Sequence, residues 1–291
     1  MFGIIEYALK NNLKVGFAIP RKDVVIELAL RLETTFSKNK VISLYGGHND
    51  DLYGDITVLT THQLYRFNKE FDLLILDEID AFPFKDNEVL ENIFKRSVKG
   101  NYVMMSATPS DRVVNMFKEK NDEILTLFTR FHRHPLPVPI IKIIPGFLRV
   151  FYCIDILNKY RKENKKVLIF LPTIDMSIEF FNKLKFCVKN GNVVNSKSKF
   201  RNQIINDFRN DKYFYLVTTA VLERGVTLKN LQVIIINADH NEYDKAALIQ
   251  ISGRVGRKKE FPKGDVIYVS KKITKSMQES INEIKMYNTY L

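Results

Sequence analysis

Short runs of consecutive apolar residues, each long enough for one strand, recur along the chain and alternate with amphipathic stretches. The clearest run is Leu73-Leu74-Ile75-Leu76. A strand that is covered on both faces has no polar face, so such runs are typical of parallel sheets buried between helices. Parallel strands need crossover connections, and the amphipathic stretches supply them. The pattern therefore predicts an α/β fold built on parallel sheets.

The runs fall into two groups, separated by a proline-rich segment. Strands are predicted at 15–19, 41–45, 56–60, 73–76 and 102–105, and again at 167–171, 214–218, 233–237 and 266–269. Helices are predicted at 21–36, 87–98, 174–188, 199–209 and 245–253. Alternate prolines in His134-Pro135-Leu136-Pro137-Val138-Pro139 prevent a helix. We therefore predict a first domain at 1–134, a linker at 135–147 and a second domain at 148–291.

The charge of the chain bears on its partners rather than on its fold. The sequence has 45 Lys and Arg residues against 33 Asp and Glu, a net charge of +12. An excess of this size favours a polyanionic partner such as nucleic acid, although merely solvated lysines are the alternative. No apolar run approaches the roughly 20 residues that cross a bilayer, and no secretory signal is recognisable. The sequence therefore predicts a cytoplasmic protein.

Two carboxylates follow the most apolar predicted strand. Asp77 and Glu78 come directly after Leu76, at the edge of the sheet where α/β proteins bind nucleotides. In a nucleoside triphosphatase the Asp would hold Mg²⁺, usually through water, and the Glu would orient the attacking water. Ser106 and Thr108 follow the next strand, and we expect their hydroxyls to bond to Asp77 or Glu78. Acids that merely end a strand, and hydroxyls that merely cap a helix, are the alternatives.

Two segments of the second half carry groups that suit phosphate. In Gln250-Ile251-Ser252-Gly253-Arg254-Val255-Gly256-Arg257 the two arginines are three residues apart. We expect them on one helical face, where their planar charged groups suit a γ-phosphate. Segment 218–227 follows a predicted strand, and Thr218 and Thr219 offer hydroxyls and amides to a phosphate chain. An ordinary strand-to-helix loop is the alternative there.

Other notable side chains are assigned structural roles. His132 and His134 have no further metal ligands nearby in sequence, so linker packing or a phosphate contact is favoured over a metal site. Phe180, Phe181 and Phe200 are expected in helix cores rather than on surfaces that stack on bases.

In combination, these segments resemble superfamily 2 helicases and translocases, whose motifs occur in the same order. The acids at 77–80 match motif II, 106–108 motif III, 218–227 motif V and 250–257 motif VI. The resemblance implies two RecA-like domains with ATP and Mg²⁺ in the cleft between them. It implies catalytic roles for Asp77, Glu78, Gln250, Arg254 and Arg257, nucleotide contacts from Gly225, Arg254 and Arg257, and coupling by Ser106 and Thr108.

A narrower resemblance, to the ComFA family of DNA-uptake helicases, covers nearly the whole chain. The matching segments are 20–25, Tyr45-Gly46-Gly47, 77–83, 130–137 and 222–227. The family implies an ATP-dependent motor on single-stranded DNA at the cytoplasmic face of an uptake channel, with other competence proteins, such as a ComFC-like protein, as partners. Together, the two resemblances and the phosphate-binding groups of 218–227 imply DNA contacts at Pro20, Arg21, Gly46, Gly47, Thr60, Thr61, His62, Thr218 and Thr219.

The P-loop pattern G-x-x-x-x-G-K-[ST], which binds nucleotide phosphates, does not occur in the 291 residues. In the family it lies just before a helix that resembles 2–10. We therefore expect the first domain to lack its P-loop strand, which leaves the strand before Ser106 with unpaired backbone groups. We therefore interpret the chain as the distal part of a longer or a split reading frame, and in the split case its partner is a separately encoded P-loop fragment. The alternatives are another superfamily 2 helicase, primosomal or RNA-directed, a nucleic-acid-binding subunit without catalysis, and a non-functional remnant.

Overall fold

The computed structural model describes residues 1–49, 52–80, 83–84, 87–119, 122–130, 132–219 and 228–291. The chain divides into two compact units, residues 1–124 and 125–291, and each holds one six-stranded sheet. Within the described residues, no helix combines the length and the apolar character needed to cross a membrane. Two α/β units with parallel sheets confirm the predicted fold class.

The first unit begins with a helix and continues as alternating strands and helices. Its elements are α1 (Phe2–Lys10), β1 (Val15–Ile19), α2 (Lys22–Thr35), β2 (Val41–Tyr45), β3 (His48–Asn49), β4 (Ile56–Thr60), a 3₁₀ helix (Thr61–Arg66), β5 (Phe71–Leu76), α3 (Glu88–Ser97), β6 (Val98–Met104) and α4 (Asp111–Glu119).

The first sheet has the strand order β3-β2-β4-β1-β5-β6. All neighbours are parallel except β2 and β3. Every residue of β1 and β4 is buried, as expected for strands covered on both faces. In the register, Ile19 lies opposite Thr60, and Leu76 lies opposite both Ala18 and Met104. The residues that follow β4, β1, β5 and β6 therefore meet along one edge of the sheet.

Strand β6 ends this sheet. It pairs with β5 and with no other strand in the part of the chain that the structure describes. Three of its residues, from Lys99 to Asn101, are exposed, and the helix that follows it, α4, has no buried residue. Among the described residues, the strand before Ser106 therefore has one open edge.

The second unit also alternates strands and helices, and it begins with a strand. Its elements are β7 (Ile140–Ile143), a 3₁₀ turn (Gly146–Leu148), α5 (Arg149–Lys162), β8 (Lys166–Phe170), α6 (Ile174–Leu184), β9 (Gly191–Val194), α7 (Arg201–Arg209), β10 (Tyr215–Thr218), β11 (Leu231–Ile236), α8 (Lys245–Ser252), β12 (Val266–Ser270) and α9 (Lys275–Asn288).

The second sheet has the order β7-β12-β11-β8-β10-β9 and is parallel throughout. Strands β11 and β12 are buried along their whole length. Side-chain caps start three of its helices: Thr173, Asp244 and Thr274 each accept a hydrogen bond from the backbone N–H three residues on. Because β9 and β10 run in register, with Val194 opposite Thr218, the loops that follow them leave the sheet side by side.

The segment predicted to be a linker is part of the second unit. Residues Ile140–Ile143 of the predicted linker 135–147 form β7, which pairs with β12. The residues just before it also pack on this unit: the ring of Phe128 stacks on that of Tyr290 at 4.3 Å. The two units therefore divide at residue 124, ten residues before the predicted end of the first domain. Prolines prevent a helix here, but they do not prevent an extended strand after Pro139.

Candidate nucleotide and nucleic-acid site

The two acids at the end of β5 are half-buried at the carboxyl edge of the first sheet. The backbone N–H of Asp77 donates to the carbonyl of Ala18 on β1 at 2.9 Å. The carboxylate of Asp77 accepts the N–H of Glu78 at 2.8 Å. Glu78 has φ +55°, a left-handed conformation that costs a non-glycine residue about 1–2 kcal/mol. Strained backbone of this kind is frequent where a side chain must take a fixed position at a functional site.

The hydroxyls after β6 bond to a different acid from the one expected. Ser106 Oγ donates to Asp80 Oδ1 and Thr108 Oγ1 donates to Asp80 Oδ2, each at 2.8 Å. Ser106 Oγ also accepts the N–H of Thr108 at 3.0 Å. The expectation that these hydroxyls contact Asp77 or Glu78 is therefore wrong. The turn after Glu78 carries the chain on to Asp80, and this third acid is the one that reaches the neighbouring loop.

Among the described residues, the acids do not form a complete magnesium site by themselves. The described residues contain no group of three or more His, Cys, Asp or Glu side chains that could hold a metal. Mg²⁺ in nucleotide enzymes is held by one or two carboxylates, by water and by substrate phosphates. The half-buried carboxylate of Asp77 fits such a partial site.

The other residues predicted to contact DNA in the first unit lie on the same edge. Pro20 and Arg21 follow β1, and Arg21 is the N-cap of α2. Thr61 is fully buried and its hydroxyl has no hydrogen-bond partner among the described residues, whereas the neighbouring His62 is exposed. Thr60, at the end of β4, is 9% exposed. The edge therefore offers the exposed His62 to a ligand more directly than the two threonines, whereas Arg21 is half-buried, with its Nε and Nη2 atoms buried.

Gly46 and Gly47 form the turn between β2 and β3, at the same edge. Gly47 has φ +82°, which a glycine adopts at no steric cost. A Cβ atom at either position would meet nothing within 4 Å, so the backbone here is open to an approaching phosphate.

The two arginines after α8 are separated rather than aligned. The helix ends at Ser252 with Gly253 as its C-cap. The chain then turns through Gly256 at φ +73°, where an added Cβ would lie 2.2 Å from the carbonyl oxygen of Pro262. Arg254 is only 1% exposed, whereas Arg257 is exposed and donates from Nε to the Gly253 carbonyl at 3.1 Å. The expectation of one helical face is therefore wrong, because the helix stops before either arginine. Gln250 is half-buried on α8.

Arg130, which the sequence did not single out, and His132, which it assigned to linker packing or a phosphate contact, fix the backbone of this turn. Arg130 donates to the carbonyls of Val255 at 2.7 Å and of Gly253 at 2.9 Å. His132 Nε2 hydrogen-bonds to the carbonyl of Gly256 at 2.9 Å, which assigns this histidine to linker packing. Burial, and after it the charge of Arg257, lowers the pKa of Arg130 to about 10. The only sequence signal for these contacts is that Arg130 and His132 lie in the segment 130–137, which resembles the ComFA family.

The predicted phosphate-binding segment after β10 is only partly described. Thr218 is fully buried and its hydroxyl donates to the carbonyl of Thr219 at 3.1 Å. Thr219 is 6% exposed. The rest of the segment, 220–227, lies outside the described residues, and with it Gly225. Hydroxyls that are buried in this way offer little to a ligand.

The predicted core position of one phenylalanine is also wrong. Phe180 is 8% exposed and packs in the second unit's core, and the partly buried Phe181 packs against the same core, as expected. Phe200 is 68% exposed. The predicted helix began at 199, but α7 begins at Arg201, so Phe200 is the N-cap and lies outside the face that packs.

Comparison with known proteins supports the resemblance to helicases. Residues 149–259 match the helicase conserved C-terminal domain family. The chain is 34% identical to competence protein ComFA of Bacillus subtilis over 99% of its own length and 64% of that protein. It is also 34% identical to competence protein ComFA of Streptococcus pneumoniae, over 99% of this chain and 69% of that one. The chain thus spans about two thirds of the length of these relatives.

A solved structure of S. cerevisiae Dbp5 bound to RNA and ADP BeF3 superposes with a TM-score of 0.69 and 18% identity, over 96% of this chain and 76% of that one. At this identity the likeness concerns the fold alone, and it is the fold of RecA-like helicase domains. The sequence identity to two competence proteins decides the family. The chain belongs to the ComFA family of competence-associated superfamily 2 helicases.

Proposed function

We propose that this chain is the larger part of an ATP-dependent motor that moves along single-stranded DNA during DNA uptake. The observation that carries the proposal is the pair of bonds from Ser106 and Thr108 to Asp80. They tie the loop after β6 to the loop that holds Asp77 and Glu78. A change at the nucleotide would thereby be passed to the neighbouring loop, which is what coupling of hydrolysis to movement requires.

In this proposal Asp77 holds Mg²⁺ through water, and the ion when bound neutralises charge on the nucleotide's phosphate oxygens. Glu78 orients and polarises the attacking water, and its strained backbone fixes where its carboxylate lies. Gln250 and the exposed Arg257 contact the γ-phosphate, whereas Arg254, only 1% exposed, lies inside the turn. Gly225, outside the described residues, is kept as a nucleotide contact from the family resemblance. The turn that carries the arginines is held by Arg130, so their positions are set before the nucleotide arrives.

The DNA contacts proposed on the first unit are the backbone of Gly46 and Gly47, together with Arg21 and His62. On the second unit the proposed contact is at Thr219, just after β10, because Thr218 is fully buried. Such contacts go to phosphates and sugars, so binding would be independent of sequence and would weaken steeply with salt. The net charge of +12 supports a polyanionic ligand.

The nucleotide's phosphates also need a P-loop, and the 291 residues contain no G-x-x-x-x-G-K-[ST]. We propose that another polypeptide segment, either upstream or separately encoded, supplies it. This same observation favours the second candidate, a nucleic-acid-binding subunit without catalysis of its own. The two are separated by mixing the chain with a P-loop fragment of the family: DNA-stimulated ATP hydrolysis selects the motor, and DNA binding without hydrolysis selects the subunit.

The direct test of the proposal is binding of the full chain to a labelled oligothymidine, with RNA of the same length as competitor. We expect binding that single-stranded DNA displaces better than RNA. No binding at low salt would refute the proposal, and preference for RNA would select an RNA helicase instead.

A further inference from the structure

The loop between β9 and α7 presents an exposed aromatic ring among cations, and no part of the function proposed above uses it. Phe200 is 68% exposed. Lys197 and Lys199 beside it are exposed, and Arg201 is half-buried. None of these three cations forms an ion pair with a described residue. Residues 187–206 contain four Lys and Arg side chains and no Asp or Glu.

The loop is ordered by its own hydrogen bonds rather than left free. Asn195, only 4% exposed, lies at its base. Its N–H donates to Ser198 Oγ at 3.0 Å, and its side-chain oxygen accepts the N–H of Lys197 at 3.0 Å. The Ser198 N–H returns to the Asn195 carbonyl at 3.2 Å. The ring of Phe200 is therefore held out from a fixed turn, which lowers the entropy lost when a ligand stacks on it.

The loop lies next to the end of β10, on the edge of the second sheet that is proposed to contact DNA. Val194 at the end of β9 lies opposite Thr218 at the end of β10. Parallel strands lie about 4.8 Å apart, so Asn195 and Thr219 leave the sheet side by side. A strand of nucleic acid that passes the end of β10 would meet the loop next.

We propose that Phe200 is a stacking platform for a base of single-stranded DNA, with Lys197 and Lys199 contacting the adjoining phosphates. This inference rests on the proposed function. Aromatic stacking combined with a basic groove is how proteins bind single strands without reading their sequence. The Phe200 ring would contact a base, whereas the contacts proposed for the first unit go to phosphates and sugars.

The absence of tryptophan from the sequence allows a direct test. Phe200→Trp places the sole tryptophan of the chain on the loop, and we expect an oligothymidine of about 15 nucleotides to quench its fluorescence. Phe186→Trp is the matched control. Phe186 is 79% exposed and has Lys185 Nζ 5.4 Å from its ring, but it follows α6 and so lies towards the opposite edge of the same sheet.

The affinity of the full chain and its variants for the same oligothymidine then distinguishes the contribution of the Phe200 ring from that of the two lysine charges. We expect Phe200→Ala to weaken binding about 10-fold or more and to leave its salt dependence unchanged, since no charge is lost. Lys197→Ala and Lys199→Ala should each make the plot of the logarithm of the binding constant against the logarithm of the salt concentration less steep, by about 0.7. An oligomer of abasic sites should bind Phe200→Ala and the unsubstituted chain equally.

Because Phe200 and Phe186 are exposed, both variants should fold, and circular dichroism checks this. If the unsubstituted chain binds DNA but Phe200→Ala binds as tightly, or if Phe186→Trp is quenched as strongly as Phe200→Trp, the stacking platform is refuted while the proposed function stands. If the unsubstituted chain does not bind single-stranded DNA, both are refuted.

Discussion

Replacement of Arg130 by Ala removes both hydrogen bonds that hold the carbonyls of Gly253 and Val255. A hydrogen bond from a charged group contributes about 1.5–3 kcal/mol. Burial of the guanidinium, which lowers its pKa to about 10, offsets part of that gain. The Gly253 carbonyl keeps the Nε–H of Arg257, whereas the Val255 carbonyl has no second donor in the described part of the chain.

We therefore expect Arg130→Ala to lower the free energy of unfolding of the second unit by about 2 kcal/mol. For a unit of this size that is a fall in Tm of about 4–8 °C. Thermal unfolding followed by circular dichroism measures the shift, and hydrogen exchange of the amides at 253–257 shows whether the turn itself has loosened.

The matched control is Arg133→Gln, an equal change of charge at an exposed position in the same segment. It should change the free energy of unfolding by less than about 0.5 kcal/mol. A Tm for Arg130→Ala within about 1 °C of the unsubstituted chain, with unaltered exchange at 253–257, would show that Arg130 does not hold the turn.

Further predictions concern the same units. Gly256→Ala should destabilise the second unit by about 3 kcal/mol or more in denaturant unfolding, because a Cβ has no room there and φ is positive; a loss below about 1 kcal/mol would contradict the turn. In a double-mutant cycle, the combined substitutions Ser106→Ala and Thr108→Val form one side and Asp80→Asn the other. Their effects on the free energy of unfolding should differ from additivity by more than about 0.5 kcal/mol, and strictly additive effects would argue against the shared contact. Burial raises the pKa of Tyr268 to about 12, so its neutral form favours the fold. Stability should therefore fall as pH rises from about 10 to about 12, less steeply in Tyr268→Phe; an equal slope in both would count against this.

The sequence was sufficient for most strands of the two sheets and for the position of the acids at a sheet edge, although β3 and β9 were not predicted. Strands β1, β2 and β4 begin and end where they were predicted. Every residue of β1 and β4 is buried, and the residues of β2 alternate between half-buried and buried. The acids after β5 lie at the sheet edge because parallel topology brings the carboxyl end of every strand to one side of the sheet.

The features that the sequence did not predict depend mainly on contacts between residues that are distant in the chain. No local pattern tells that Arg130 bonds to carbonyls more than 120 positions away, or that Asp80 rather than Asp77 reaches the loop after β6. Strand β7 was hidden by the prolines that precede it, and α9 by a run in which polar residues outnumber apolar ones. Phe200 was misplaced by two residues of error at a helix start, which is enough to move a ring from core to solvent.

The role of Glu78 in a DNA-stimulated motor is tested most directly by ATP hydrolysis in the chain joined, upstream of Met1, to a P-loop segment of the family. Single-stranded DNA should stimulate hydrolysis, and Glu78→Gln should reduce it by about 100-fold or more while DNA binding stays within about twofold. Hydrolysis that Glu78→Gln leaves unchanged would contradict the assignment of the acids after β5 to catalysis.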